Sequence, residues 1–219
     1  MGAFQGQTAL ITGASRGFGF FAAKALAAEG AEIIAVARTS GGLEELDDAI
    51  QSAGNQATLV PLDITDDAGL QRLCVSIHQR WGGVNLWLHS AIHAAPLTPA
   101  GHVAEKDLDK SIAINIRASQ RLIAMVDPLL KAKNGTAVHL DDPRAGKKFF
   151  ASYGATKAAQ KALFDSWAAE TVSTGPTVRC FTPEQMPTST RARFYPGQNP
   201  DELSSPAVEA TKFIDWLQT

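Results

Sequence analysis

The sequence predicts an α/β domain in which a parallel sheet is covered by helices on both faces. Three observations carry the prediction. Short apolar runs alternate with amphipathic stretches at a regular pace along the 219 residues, the rhythm of strand and helix in turn. No linker, repeat or low-complexity segment interrupts that order. A glycine-rich turn joins the first apolar run to the first helical pattern.

Taken in order, the run TALIT gives a strand at Thr8–Thr12 and the pattern after the turn a helix at about 18–29. EIIAVA gives a strand at Glu32–Ala37, followed by a helix at about 42–52. ATLVP gives Ala57–Pro61, then a helix at about 68–81. The fourth strand is drawn at Val84–Ser90 and is followed by one long helix at about 105–130. TAVHL gives Thr136–Leu140, then a helix at about 152–174; TVRCF gives Thr177–Phe181 and a last helix at about 206–217. The sheet is thus expected to have six strands. The one long irregular stretch, Thr182–Ser205, is rich in Pro, Thr, Arg and Asn. It reads as a loop or lid that contacts substrate, not as a domain boundary.

Composition bounds the rest. With 45% hydrophobic residues, a chain of this length buries one sizeable core, so residues 1–219 read as a single domain. Twenty Lys and Arg against twenty-two Asp and Glu leave a formal charge of −2, without the basic excess that neutralises nucleic acid. The two cysteines, Cys74 and Cys180, lie in apolar segments without metal-ligand spacing. They suit a reducing cytoplasm, and no bound metal is expected. No apolar stretch approaches the roughly 20 residues of a membrane span, so no membrane partner is expected.

The turn itself is Thr12-Gly13-Ala14-Ser15-Arg16-Gly17-Phe18-Gly19. Its glycines permit close backbone approach, and the helix that follows offers unpaired N–H groups and a positive dipole end, a cradle for phosphates. In such a sheet the ligand lies beyond the carboxyl ends of the strands. Arg38, just after the second strand, stands where an NAD-preferring protein places an acid against the ribose; it can pair a 2′-phosphate instead, and Arg16 can reach the same group. Two converging cations favour NADPH. Asp63 and Ile64, after the third strand, suit the adenine amine and ring, and Asp63 to Asp67 also suit a helix-capping turn.

Tyr153-Gly154-Ala155-Thr156-Lys157 holds the second constellation. Its tyrosine and lysine, four residues apart, share one helical face. An ammonium near a phenol stabilises the phenolate and brings the tyrosine toward proton transfer.

Through Thr12-Gly13 to Gly19, Asp63, Asn115, Tyr153 with Lys157, and their order, nearly the whole chain resembles the short-chain dehydrogenase/reductase family. The resemblance implies a three-layer, Rossmann-type, doubly wound sheet and hydride transfer between a nicotinamide and a small carbonyl or alcohol substrate. Tyr153 is then the general acid/base, and Lys157 lowers its pKa and holds the nicotinamide ribose. Asn115 matches the family's helix asparagine, which holds a water in a proton relay, and Thr188 falls where the family has a threonine that contacts the carboxamide. The sequence leaves no room after Leu217 for the seventh strand of many members. The long helices, with Leu163, Phe164 and Trp167, match faces that pair across a two-fold axis in this family, which implies a homodimer.

Several residues depart from the family. His89-Ser90-Ala91-Ile92 stands where Asn-Asn-Ala-Gly is usual, leaving Ser90 and Ala91 as the backbone approach to adenosine. A glutamate, Glu184, replaces the glycine after Pro183. Asp142, or Asp141 in a shifted register, occupies the place of the serine that polarises the substrate carbonyl. An ionised aspartate there opposes phenolate formation by roughly 4 kcal/mol at 4 Å in an effective dielectric of 20. Asp142 stays protonated and donates as a serine does, or turns away to Arg144, Lys147 or Lys148, or Asp141-Asp142-Pro143 is simply a turn and the oxyanion contact is missing. Two functions remain open: an NADPH-dependent carbonyl reductase, with an apolar wall from Phe149, Phe150, Met186, Phe194 and Tyr195, or a catalytically weak cofactor-binding relative with a redox-sensing or interaction role.

Overall fold

The computed structural model describes residues 2–219. Its strands are β1 (Thr8–Thr12), β2 (Glu32–Ala37), β3 (Ala57–Pro61), β4 (Leu86–His89), β5 (Thr136–Leu140) and β6 (Thr177–Phe181). They form one parallel sheet in the order β3-β2-β1-β4-β5-β6. The helices are α1 (Gly17–Ala28), α2 (Ser40–Gln51), α3 (Asp67–Trp81), α4 (Glu105–Ser111), α5 (Ser119–Lys131), α6 (Ala151–Thr171), α7 (Ser189–Phe194) and α8 (Pro206–Leu217).

Strand residues alternate between two cores, as the two-residue period of a strand requires. Ala9, Ile11, Ile33, Ala35, Leu86 and Leu88 pack with α1, α2 and α8 on one face. Leu10, Ile34, Val36 and Trp87 pack with α3, α5 and α6 on the other. Both faces of the central strands are therefore buried, which is why these strands read as unbroken apolar runs. The strand order reverses at β1, with β2 on one side and β4 on the other. That switch point opens a crevice at the strands' carboxyl ends.

Four expectations are corrected. The fourth strand is shorter than Val84–Ser90: Val84 N–H donates to Leu129 O of α5, and only Leu86–His89 joins the ladder. The helix expected at 105–130 is divided, with π-type turns over Ile112–Ala118 between α4 and α5. Such wide turns are frequent at functional sites. The stretch Thr182–Ser205 is not wholly irregular. Thr188 Oγ1 accepts from Arg191 N–H and starts α7, and the Asn199 side chain accepts from Asp201 N–H at a 3₁₀ turn, Pro200–Glu202. Finally, Phe164 and Trp167 are spent within the chain, packed around the fully buried Trp87, and are not free to form a pairing face. No helix among the described residues is long and apolar enough to cross a membrane.

Candidate active site

The crevice is a cleft of about 990 Å³, at the upper end of the range for small-molecule sites. Of the residues singled out above, Gly13, Ser15, Arg16, Gly17, Phe18, Arg38, Asp63, Ile64, Ser90, Ala91, Asp142, Tyr153, Lys157 and Thr188 all line it. Gly19 and Asn115 stand behind its wall.

At the phosphate end, Gly13 adopts φ +87°, and a Cβ there would lie 2.6 Å from Ala91 N. A Cβ on Gly19 would run into Gly13 O. The turn is therefore packed down to bare backbone against the loop after β4. Arg16, the residue before α1, makes no side-chain cap, and the first turn of α1 holds no acid. The leading N–H groups of α1 thus face the cleft without a protein anion, as a cofactor phosphate requires. Arg38 meets Asp63 at 3.8 Å in an exposed pair, weak enough to leave the guanidinium available. Asp63 Oδ1 accepts from Thr65 N–H and Oγ1–H, and the cap of α3 is Asp66, accepting from Gly69 N–H.

At the other constellation it is Asp142, not Asp141, that meets the tyrosine. Tyr153 Oη donates to Asp142 Oδ2 at 3.0 Å, and Arg144 Nε donates to Asp142 Oδ1 at 2.7 Å. Asp142 pairs with Arg144 without turning away from the tyrosine. Both its oxygens accept, the pattern of an ionised carboxylate. Gly154 makes this possible: a Cβ there would stand 2.5 Å from Arg144 O, so only glycine lets the 141–150 loop lie on α6. Burial, then the Asp142 charge and hydrogen bond, raise the Tyr153 pKa well above 10, with Arg144 opposing. This is the reverse of the depression that a nearby ammonium implies.

Lys157 is turned to other partners. Its Nζ donates to Leu140 O and Gln160 Oε1, each at 2.6 Å. Gln160 Nε2 donates to Ser119 Oγ at 2.8 Å, and Ser119 Oγ donates to Asn115 O at 2.9 Å. With its proton committed, Ser119 accepts from His89 Nε2–H at 2.9 Å, so His89 Nδ1 is the acceptor for Thr12 Oγ1–H at 2.8 Å. Burial, and then the Lys157 charge, hold the His89 pKa down at about 3. The chain Lys157–Gln160–Ser119–His89–Thr12 is buried throughout. Gln160 and Ser119 were not singled out from the sequence; the available signal was Gln160 one turn after Lys157 on the same face. Asn115 ties the loop after β4 to α6: Nδ2 donates to His93 O at 2.9 Å and to Thr156 Oγ1 at 3.0 Å, and Oδ1 accepts from His93 N–H at 2.7 Å.

Burial, partly offset by Asp141 and Asp142, lowers the Lys157 pKa from 10.5 to about 8. Between these values the unfolded chain binds more protons at this site than the folded one, so stability rises with pH across the window, by about 3 kcal/mol in all. Cys74, raised by burial from 9.0 to about 11, acts in the opposite sense from pH 9 upward. The comparison is therefore made against Lys157→Met: denaturant midpoints from pH 7.5 to 10.5 climb more steeply in the wild type than in the variant. Parallel curves would contradict the assignment.

The segment after β6 closes over the cleft. Glu209, only 1% exposed, anchors it by accepting from Glu184 N–H at 2.9 Å and Ser204 Oγ–H at 2.6 Å, beside Lys212 Nζ at 2.7 Å. Phe194 of α7 sits edge-on to Tyr153 and to Phe150, with ring centroids 4.9 Å apart in each case. Ile92, Ala94, Leu97 and Tyr195 pack around this group. Phe149 does not join the wall: it is 43% exposed, with Lys148 Nζ over its ring. Met186 reaches both the cleft and the core beneath α1 and α8.

A glycine-walled switch-point cleft with Tyr153 and Lys157 on one helix face defines a nucleotide-dependent oxidoreductase site. The chain belongs to the short chain dehydrogenase family, whose description matches residues 7–199. It is 31% identical over 220 residues to a fatty acyl-CoA reductase of Acinetobacter baylyi, covering 94% of this chain and 73% of that one. Among solved structures, a short chain dehydrogenase from Shigella flexneri superposes with a TM-score of 0.87 at 26% identity, covering 93% of this chain and 82% of the other. A chain from Escherichia coli CFT073 complexed with NADPH superposes with a TM-score of 0.90 at 25% identity, covering 96% and 90%.

Proposed function

We propose that the protein is an NADPH-dependent reductase of a small, apolar carbonyl compound, or in the reverse direction an NADP+-dependent dehydrogenase of the corresponding alcohol, with Tyr153 as general acid/base. The observation that carries this reading is that the uncapped start of α1, Arg38 and the Tyr153 hydroxyl all face one cleft. The backbone of the Gly13–Gly19 turn would hold the cofactor phosphates, Arg16 and Arg38 the 2′-phosphate, Ile64 and Ala91 the adenosine, and Thr188 the carboxamide. When bound, the reduced nicotinamide supplies a hydride to the carbonyl carbon. Tyr153 Oη gives its proton to the carbonyl oxygen as negative charge grows there. Lys157, held by Leu140 O and Gln160, would offer its remaining N–H to the ribose. Phe150 and Phe194 exclude water from the tyrosine.

Asp142 also supports a second reading. It takes the Tyr153 proton as a hydrogen bond and sets a negative charge where the carbonyl oxygen must gain one, which suits a weakly active, cofactor-binding protein with a sensing or interaction role. A panel of apolar ketones and aldehydes, followed through the absorbance of NADPH, separates the two. The reductase reading expects turnover of at least one; consumption of none favours the second.

A further inference from the structure

The cleft carries positive charge beyond the two arginines assigned to the 2′-phosphate. Besides Arg16 and Arg38 it is lined by Lys110, Lys147, Arg191 and Arg193, and among the described residues none of these four forms a salt bridge. Of the four acids of the cleft, Asp63 pairs with Arg38 and Asp142 with Arg144, while Asp141 and Glu184 form no salt bridge. A cationic surface is left in a chain whose net charge is −2.

Arg191 is the member of that surface with a built orientation. Its Nε donates to Gln198 Oε1 and its Nη2 to Gln185 Oε1, each at 2.6 Å, and its guanidinium carbon lies 3.9 Å from the centre of the Tyr195 ring. All three supports are neutral, so they fix the fork without cancelling its charge, and Nη1 remains unengaged. Arg191 is half-buried and feels the charges of both Arg144 and Asp142, which places it in the field of the Tyr153 pair. Two residues on, Arg193 Nη1 donates to Ala94 O at 2.9 Å and ties α7 to the loop after β4. Directly after Arg193, Phe194 turns its ring edge-on to Tyr153. One short helix therefore presents an apolar surface at the proton donor and a pre-oriented guanidinium beside it. Such a fork matches a carboxylate or phosphate.

Resting on the reductase reading, we propose that the substrate is an apolar carbonyl compound that also bears an anionic group, a carboxylate or a phosphate, and that Arg191 binds this group and sets substrate specificity. Unreactive probes test this without turnover: calorimetric titration with benzoate, phenyl phosphate and benzamide, with and without NADPH, on wild type, Arg191→Gln and Arg191→Lys. At least one anion binds the wild type at least tenfold more tightly than benzamide, and which one it is distinguishes carboxylate from phosphate. Arg191→Gln loses at least tenfold of that affinity, Arg191→Lys recovers part of it, and benzamide and NADPH binding stay within twofold. Equal binding of benzamide and the anions, no anion binding at all, or full anion affinity in Arg191→Gln overturns the proposal. So does a parallel loss of NADPH affinity, which assigns Arg191 to the cofactor. If NADPH fails to bind the wild type, the reductase reading falls, and the titrations without it still decide the anion site.

Discussion

Replacing Tyr153 with Phe lowers carbonyl reduction by about 10²–10⁴-fold, the scale of general acid catalysis, and leaves NADPH affinity within about twofold. The hydroxyl is the only group removed. The ring keeps its edge-on contact with Phe194 and its place beside Phe150, and Asp142 keeps Arg144. The loss therefore falls on proton donation and not on packing. Steady-state rates with any carbonyl turned over by the wild type check this, with the thermal midpoint as the control for folding. An unchanged rate would remove Tyr153 from the mechanism.

The second large effect is a gain. Asp142→Ser raises kcat/KM for reduction at pH 7 by about tenfold or more, equivalent to about 1.4 kcal/mol of transition-state stabilisation. In the wild type the Tyr153 proton is directed at a carboxylate, and the Asp142 charge and hydrogen bond add to burial in raising the tyrosine pKa. Serine removes the charge and supplies a neutral donor for the oxygen that becomes negative. The tyrosine pKa then falls, and the alkaline limb of the rate profile moves to lower pH. A tenfold fall in kcat/KM instead would mean that the carboxyl group itself takes part in the chemistry. Asp142→Asn, which keeps the shape, distinguishes loss of charge from loss of packing.

These expectations rest on features of unequal visibility in the sequence. The bounds of β1, β2, β3, β5 and β6 were legible because each apolar run ends where turn residues begin. The bounds of β4 were not, since Val84 is as apolar as Leu86 and Leu88 further along, and its bond to Leu129 O takes it out of the ladder. The two ends of the cleft were legible in the glycine turn and the Tyr153–Lys157 spacing, because backbone conformation and helical period are local properties. Whether Asp141 or Asp142 reaches the tyrosine depends on how the 141–150 loop lies on α6, a packing outcome set by Gly154. The partners of Lys157 and the neutral tethers of Arg191 come from different helices and loops. Only the Lys157–Gln160 spacing within α6 was available in the chain; no spacing rule links Ser119 to Gln160, or Gln185 and Gln198 to Arg191.

The central claim is that this cleft binds NADPH through the glycine turn and Arg38. Calorimetric titration of the purified protein with NADPH and, separately, NADH tests it without knowledge of the substrate. The account predicts NADPH binding at least tenfold tighter than NADH, with the difference lost in Arg38→Ala because the 2′-phosphate loses its principal cation. Binding of neither nucleotide would contradict the account and leave the interaction-protein reading in its place.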